Sequence, residues 1–175
     1  SAWQAIEGEL RLVPGRDGGD IITRDQYGDF ELKVDWKVGD GGNSGIIYRS
    51  DESDTRTYRT GPEMQVLDDD LAPDGRNPLT SAGSAYGLYA RTRDVVRPAG
   101  SWNEARLVVR GNRVQHFLNG IKVVEYELHS DDWKKLVAAS KFAEMPNYGQ
   151  RKVGHIALQD HGDPVAFRNI KIRKL

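Results

Sequence analysis

Glu63 and Gln65 stand two residues apart in Gly61-Pro62-Glu63-Met64-Gln65-Val66-Leu67-Asp68-Asp69. In an extended chain that spacing puts a carboxylate and an amide side by side on one face, with Leu67 beyond them, and turns Met64 and Val66 to the other. A carboxylate beside an amide suggests a strand whose polar face looks into a cleft rather than into bulk water. The competing reading is a strand whose outer face is simply solvated. A second group lies near the end of the chain, where His161 is flanked by Gln159, Asp160 and Asp163. An imidazole among carboxylates at a strand end can move a proton, and strand ends and their loops are where sandwich proteins build sites. The plain alternative there is an Asx-type turn with a solvated ring. Arg49 ends a strand after Tyr48 and is a candidate clamp for a substrate oxygen, or a surface partner of Asp51 or Asp54. Tyr86, Tyr89 and Trp102 are candidates for a sugar-stacking platform, or for core and rim packing. Asn43-Ser44-Gly45 is a ligand-facing turn or a hairpin tip, with Gly45 allowing close backbone approach.

These groups need a frame, and period-two alternation supplies it. Phe30, Leu32, Val34, Trp36 and Val38 alternate with Glu31, Lys33, Asp35 and Lys37, as in a half-buried antiparallel strand. Further strands are expected over Trp3 to Leu12, Ile21 to Thr23, Ser44 to Ser50, the Gly61 stretch, Tyr86 to Ala90, Trp102 to Arg110, Val114 to Leu118, Ile121 to Tyr126, Gly154 to Gln159 and Val165 to Ile172. Asp17 to Asp20 reads as a turn, and Gly111-Asn112 and Asn119-Gly120 read as tight hairpin turns. Asp68 to Ala85 is a long polar loop of the kind that carries function, and a candidate lid. One helix is expected, capped by Ser130, with Asp131 and Asp132 at its positive end and Trp133, Leu136 and Val137 on one face. About ten short strands and one short helix predict an all-β sandwich of two antiparallel sheets.

Composition narrows the function. The chain has 175 residues, a formal net charge of -1, 38% hydrophobic and 29% charged residues, and no cysteine. That length fits one domain over residues 1–175 with a substantial core. Near-neutral charge offers no basic field for nucleic acid. No apolar run reaches membrane-spanning length. Without cysteine there is no disulfide, thiolate metal site or thiol nucleophile. The chain starts at Ser1 and contains no export signal, which is compatible with a signal removed upstream. Nucleotide-binding glycine loops, the Gly-x-Ser-x-Gly elbow, His-Glu-x-x-His and the Glu-x-Asp-x-x-Glu strand of retaining glucanases are absent. His116, His129 and His155 read as structural or surface residues, and the four histidines show no metal-ligand spacing, so no metal ligand is assigned.

Several segments in order carry a likeness to a known family: Asn43-Ser44-Gly45-Ile46-Ile47-Tyr48-Arg49-Ser50, Gly61-Pro62-Glu63-Met64-Gln65-Val66-Leu67-Asp68, Tyr86-Gly87-Leu88-Tyr89, Arg97-Pro98-Ala99-Gly100-Ser101-Trp102-Asn103, Leu118-Asn119-Gly120, Ile156-Ala157-Leu158-Gln159-Asp160-His161-Gly162 and Phe167-Arg168-Asn169-Ile170. Together they resemble the bacterial 3-keto-disaccharide hydrolase family. The resemblance implies a concanavalin A-like jelly-roll sandwich with a concave, sugar-binding sheet, and a periplasmic or secreted protein. The substrates it implies are glycosides oxidised to a ketone at carbon 3. Glu63 or His161 would then be the base, the other assisting. Arg49 and Gln65 would orient the sugar or stabilise an oxyanion, Asp160 would orient His161 or help hold a metal, and Tyr89 and Trp102 would border the sugar. A divalent metal is a candidate for the developing enediolate oxygen. The rival readings are a carbohydrate-binding module of the same fold without turnover, and an interaction domain whose polar face docks on a protein.

Overall fold

The computed structural model describes residues 1–16 and 18–175. Eleven strands and one α-helix are present among them: β1 (Trp3–Ile6), β2 (Glu9–Leu12), β3 (Ile21–Ile22), β4 (Phe30–Val38), β5 (Asn43–Ser50), β6 (Glu63–Leu67), β7 (Asn103–Arg110), β8 (Arg113–Leu118), β9 (Ile121–Glu127), α1 (Asp131–Ala138), β10 (His155–Leu158) and β11 (Val165–Lys174). They form two antiparallel sheets, seven-stranded in the order β1-β2-β11-β4-β7-β8-β9 and four-stranded in the order β3-β10-β5-β6.

The alternation in β4 does what its pattern demands. Phe30, Leu32, Val34, Trp36 and Val38 are buried, and they meet Ile46, Tyr48, Met64 and Val66 of the facing sheet in one hydrophobic core. Asn119 (φ 49°) and Gly120 (φ 82°) both take the left-handed conformation that a two-residue type I′ turn requires. The same chemistry at Glu7 (φ 50°) and Gly8 (φ 79°) folds the expected Trp3–Leu12 strand into a hairpin of two. Ser130 caps α1 by accepting a hydrogen bond from the Trp133 amide, as its sequence predicts.

One expectation changes. Tyr86 to Ala90 is a turn rather than a strand, tied down by single bridges from Ala85 to Met64 and to Tyr89. The expected turn at 17–20 begins on Asp17, outside the described residues. The long 68–85 loop is closely stapled. Asp68 accepts from the Gly41 amide, Asp69 from the Ala82 amide and from Arg91, and Thr80 donates its hydroxyl to the Asp74 carbonyl. The acidic run after β6 therefore holds loops in place. No helix among the described residues is long and apolar enough to cross a membrane.

Candidate active site

β6 is buried along its whole length, yet its two faces differ. Met64 and Val66 enter the core, while Glu63 and Gln65 line a hollow over the outer face of the four-stranded sheet. Asn43, Tyr58, Asp74, Tyr86, Lys141, Gln159 and His161 complete its lining, and its volume is about 170 Å³. That is smaller than the ~300–1,000 Å³ pockets that engulf drug-sized molecules, and suits a single polar ring entering from solvent.

The floor is shaped by a missing side chain. Antiparallel pairing sets Ile47 opposite Glu63 and Gly45 opposite Gln65. A Cβ on Gly45 would lie 2.0 Å from Glu63 Oε1 and 2.7 Å from its Cδ, so the Glu63 carboxyl occupies the space that glycine leaves. Burial away from water raises the Glu63 pKa to about 8. The negative charges of Asp20 and Asp74 push the same way, and Lys141 alone among the charges acting on it pulls it down. A carboxyl poised there exchanges protons near neutral pH.

Lys141 opens a short 3-10 turn, Lys141–Glu144, whose N-cap is Ser140. Its ammonium lies 4.4 Å from the centre of the Tyr86 ring and 5.3 Å from that of Tyr58. Two aromatic faces thus hold the cation at the hollow, and no carboxylate among the described residues neutralises it. Burial and nearby Asp74 push the Tyr86 phenol up to about 12, so it remains a neutral hydroxyl.

His161 sits half-exposed at the mouth, with Nδ1 facing Asp163 Oδ2 at 3.4 Å. Asp163 also accepts from the Asn43 amide at 3.2 Å. Behind the rim, Asp20 ties two lining segments together. Its carboxylate accepts from the Asp160 amide at 2.9 Å and from the Thr57 hydroxyl at 2.6 Å, residues adjacent to His161 and Tyr58.

The structure thus brings together Glu63, Gln65 and His161, which the sequence singled out, and adds Tyr58, Asp74 and Lys141, which it did not. Four other candidates lie elsewhere. Arg49 is 3% exposed and donates to the Gly28 and Gly111 carbonyls at 2.9 and 2.8 Å, with Asp29 at 3.4 Å. Its left-handed backbone (φ 50°), near the register shift between His155 and Ala157, breaks the alternation of β5. It stands four residues beyond Gly45, roughly 13 Å along the strand. Asp160 spends its carboxylate on the Gly19 and Gly162 amides at 2.7 and 2.9 Å, so it shapes the turn carrying His161, and Asp163 faces the imidazole instead. Tyr89 stacks on Tyr126 at 4.7 Å and donates its hydroxyl to Asp132. The Trp102 ring is taken by Lys37 and Arg168, 4.5 and 4.0 Å from its centre, on the outside of the seven-stranded sheet.

Two further observations constrain the chemistry. His116 is buried; loss of solvation lowers its pKa to about 4, and it bonds to Tyr48 at 3.1 Å and the Gly83 carbonyl at 3.0 Å. It is a neutral structural histidine. Among the described residues no three His, Asp or Glu side chains gather as metal ligands, so the residues present do not make a preformed metal site.

Because the buried Arg49 guanidinium ties the Gly28 and Gly111 carbonyls together and faces Asp29, Arg49→Ala is expected to lower stability by about 2–4 kcal/mol. Thermal unfolding checks this, and the pH midpoint of any activity at the hollow is expected to stay where it is.

Two stacked antiparallel sheets of this order, with a polar hollow over the smaller one, define a concanavalin A-like jelly-roll protein. A Bacillus licheniformis β-glucanase shares that fold at a TM-score of 0.55 and 13% identity, over 99% of this chain and 82% of its own. The chain belongs to the 3-keto-alpha-glucoside-1,2-lyase-like domain family, which it matches over residues 1–173. It is 37% identical, over 91% of its length, to a 3-keto-disaccharide hydrolase of Bacteroides thetaiotaomicron, and it spans 63% of that relative's length. A candidate glycosyl hydrolase of Parabacteroides distasonis superposes at a TM-score of 0.91 with 33% identity, over all of this chain and 84% of its own.

Proposed function

We propose that this chain hydrolyses glycosides whose sugar carries a ketone at carbon 3. One observation carries the reading: a buried carboxyl with a pKa of about 8 lies on the floor of a ring-sized polar hollow that Lys141 and His161 also line. The names of the relatives support the substrate class.

The ketone acidifies the hydrogen on carbon 2. Glu63, ionised, removes that proton, and the electron pair passes into the carbonyl to give an enediolate. The Lys141 ammonium, paired with no carboxylate among the described residues, stabilises the developing negative oxygen. The pair then returns to form a C1–C2 double bond as the C1–O bond breaks. His161, at the mouth, gives a proton to the departing oxygen. Water adds at carbon 1 and carbon 2 is reprotonated, so the net change is hydrolysis. Gln65 and Tyr86 orient the ring. A base whose pKa lies near working pH gives general catalysis worth roughly 10²–10⁴-fold.

Incubation with 3-keto-trehalose or 3-keto-sucrose tests this by release of free 3-keto-glucose. Retention of the sugar without release would instead make the protein a binding module. Lys141→Met gives a second test. Turnover is expected to fall about 10²-fold as the oxyanion loses its cation. Removing the one positive charge that holds the Glu63 pKa down should also move the midpoint of the pH–rate curve upward from about 8. An unchanged midpoint would separate Lys141 from Glu63.

A further inference from the structure

Gln65 is 1% exposed, and its amide is half used. Nε2 donates to the Thr80 carbonyl at 2.9 Å, whereas Oε1 is buried with no hydrogen-bond partner among the described residues. The assignment of the two atoms follows from chemistry, because a carbonyl oxygen can only accept. Flipping the amide would set two acceptors against each other. The rest of the residue is equally fixed: the Gln65 amide donates to the Ser84 carbonyl at 3.1 Å and its carbonyl accepts from Gly83 at 2.9 Å. Thr80 is held in turn by its hydroxyl bond to the Asp74 carbonyl at 2.7 Å. Nothing on β6 can swing to fill the vacant acceptor, and a buried acceptor left unpaired is costly.

We infer that Gln65 Oε1 is a specificity-determining acceptor for one sugar hydroxyl, the one across the ring from the carbon that Glu63 deprotonates. This rests on the glycoside reading above. Glu63 and Gln65 are two residues apart on one strand face, about 6.6 Å, roughly the span of a pyranose ring with its hydrogen bond. With carbon 2 at Glu63, the positions that reach Gln65 are the hydroxyls on carbon 4 and carbon 6. The keto group is directed away, since a ketone facing Oε1 would again oppose two acceptors. The ring therefore has one productive orientation, with its ketone turned from the amide. A site built to hydrogen-bond a hydroxyl rejects the analogue lacking it far more strongly than an apolar pocket rejects a missing methylene.

The test compares 4-nitrophenyl 3-keto-glucoside with its 4-deoxy and 6-deoxy analogues. Wild type is expected to lose at least 10²-fold in kcat/KM on one analogue. Gln65→Leu is expected to lose a similar factor on the parent and to treat parent and analogue within threefold of each other. Wild type turning over both analogues within threefold of the parent overturns the inference, and so does discrimination that survives in Gln65→Leu. If wild type cleaves none of the three, the hydrolase reading fails, and calorimetric binding of the same sugars decides the hydroxyl contact separately. Parent bound at least tenfold more tightly than one analogue supports it. Equal binding, or none, contradicts it.

Discussion

Glu63→Gln abolishes turnover of a 3-keto-glucoside by at least 10²-fold while the protein stays folded, because the amide fills the carboxyl's place but cannot take the proton. The wild-type rate carries the signature of the same group. The folded-state pKa of about 8 means that the base is mostly protonated at pH 7, so the limb of the kcat/KM profile set by Glu63 climbs tenfold per pH unit well below 8. Stability moves the other way. Unfolded, the carboxyl releases its proton near 4.5; folded, it holds it to about 8. The folded state thus binds the extra proton between these values, and stability falls as pH rises through that window. Glu63→Gln has no such proton to lose. Its melting temperature should therefore exceed that of wild type increasingly toward pH 9, by a margin equivalent to roughly 4 kcal/mol at about 1.4 kcal/mol per tenfold. A melting-temperature difference that stays flat from pH 5 to 9 would remove the burial argument.

Gly45→Ala is the second large effect, and it needs no change to any reacting group. The new methyl meets the Glu63 carboxyl at 2.0 Å, far inside contact distance, so the flexible acid must swing away from the floor. Misplacing a catalytic group by about 1 Å costs on the order of 10²-fold, and that loss is expected in kcat. Stability should stay within about 1 kcal/mol. Gly45 has no left-handed φ to strain, and alanine restricts the unfolded chain. Combining Gly45→Ala with Glu63→Gln should add little to the loss of Glu63→Gln alone, since both act on one carboxyl. Independent, additive losses would show that Gly45 serves some other purpose.

The two residues explain how the site was legible and where it was not. Alternation placed Glu63 and Gln65 on one strand face and Met64 with Val66 on the other, because a strand's period is two wherever its backbone stays regular. The same rule failed at Arg49. A left-handed residue interrupts β5 there, and nothing in Tyr-Arg-Ser announces it. Asn-Gly and Ser-Asp-Asp predicted a turn and a helix start because their chemistry is local. Tyr58, Asp74 and Lys141 reach the hollow from three separated loops, so only tertiary folding assembles them. Its length gave a reason to watch the 68–85 loop but no way to choose Asp74 within it. Asp160 and Asp163 illustrate a similar limit: both flank His161, and sequence proximity alone could not decide which carboxylate would spend itself on backbone amides. Trp102 read as a sugar platform because the apolar CH faces of sugars pack on aromatic rings; Lys37 and Arg168 arrive from other strands to occupy its ring.

Turnover depends on the protonation of one buried acid. A carbon-13 NMR titration of the Glu63 carboxyl, assigned by its loss in Glu63→Gln, measures it directly. The predicted midpoint lies near pH 8 and coincides with that of the kcat/KM profile. A midpoint near the ordinary 4.5, with activity unchanged across neutral pH, would contradict it.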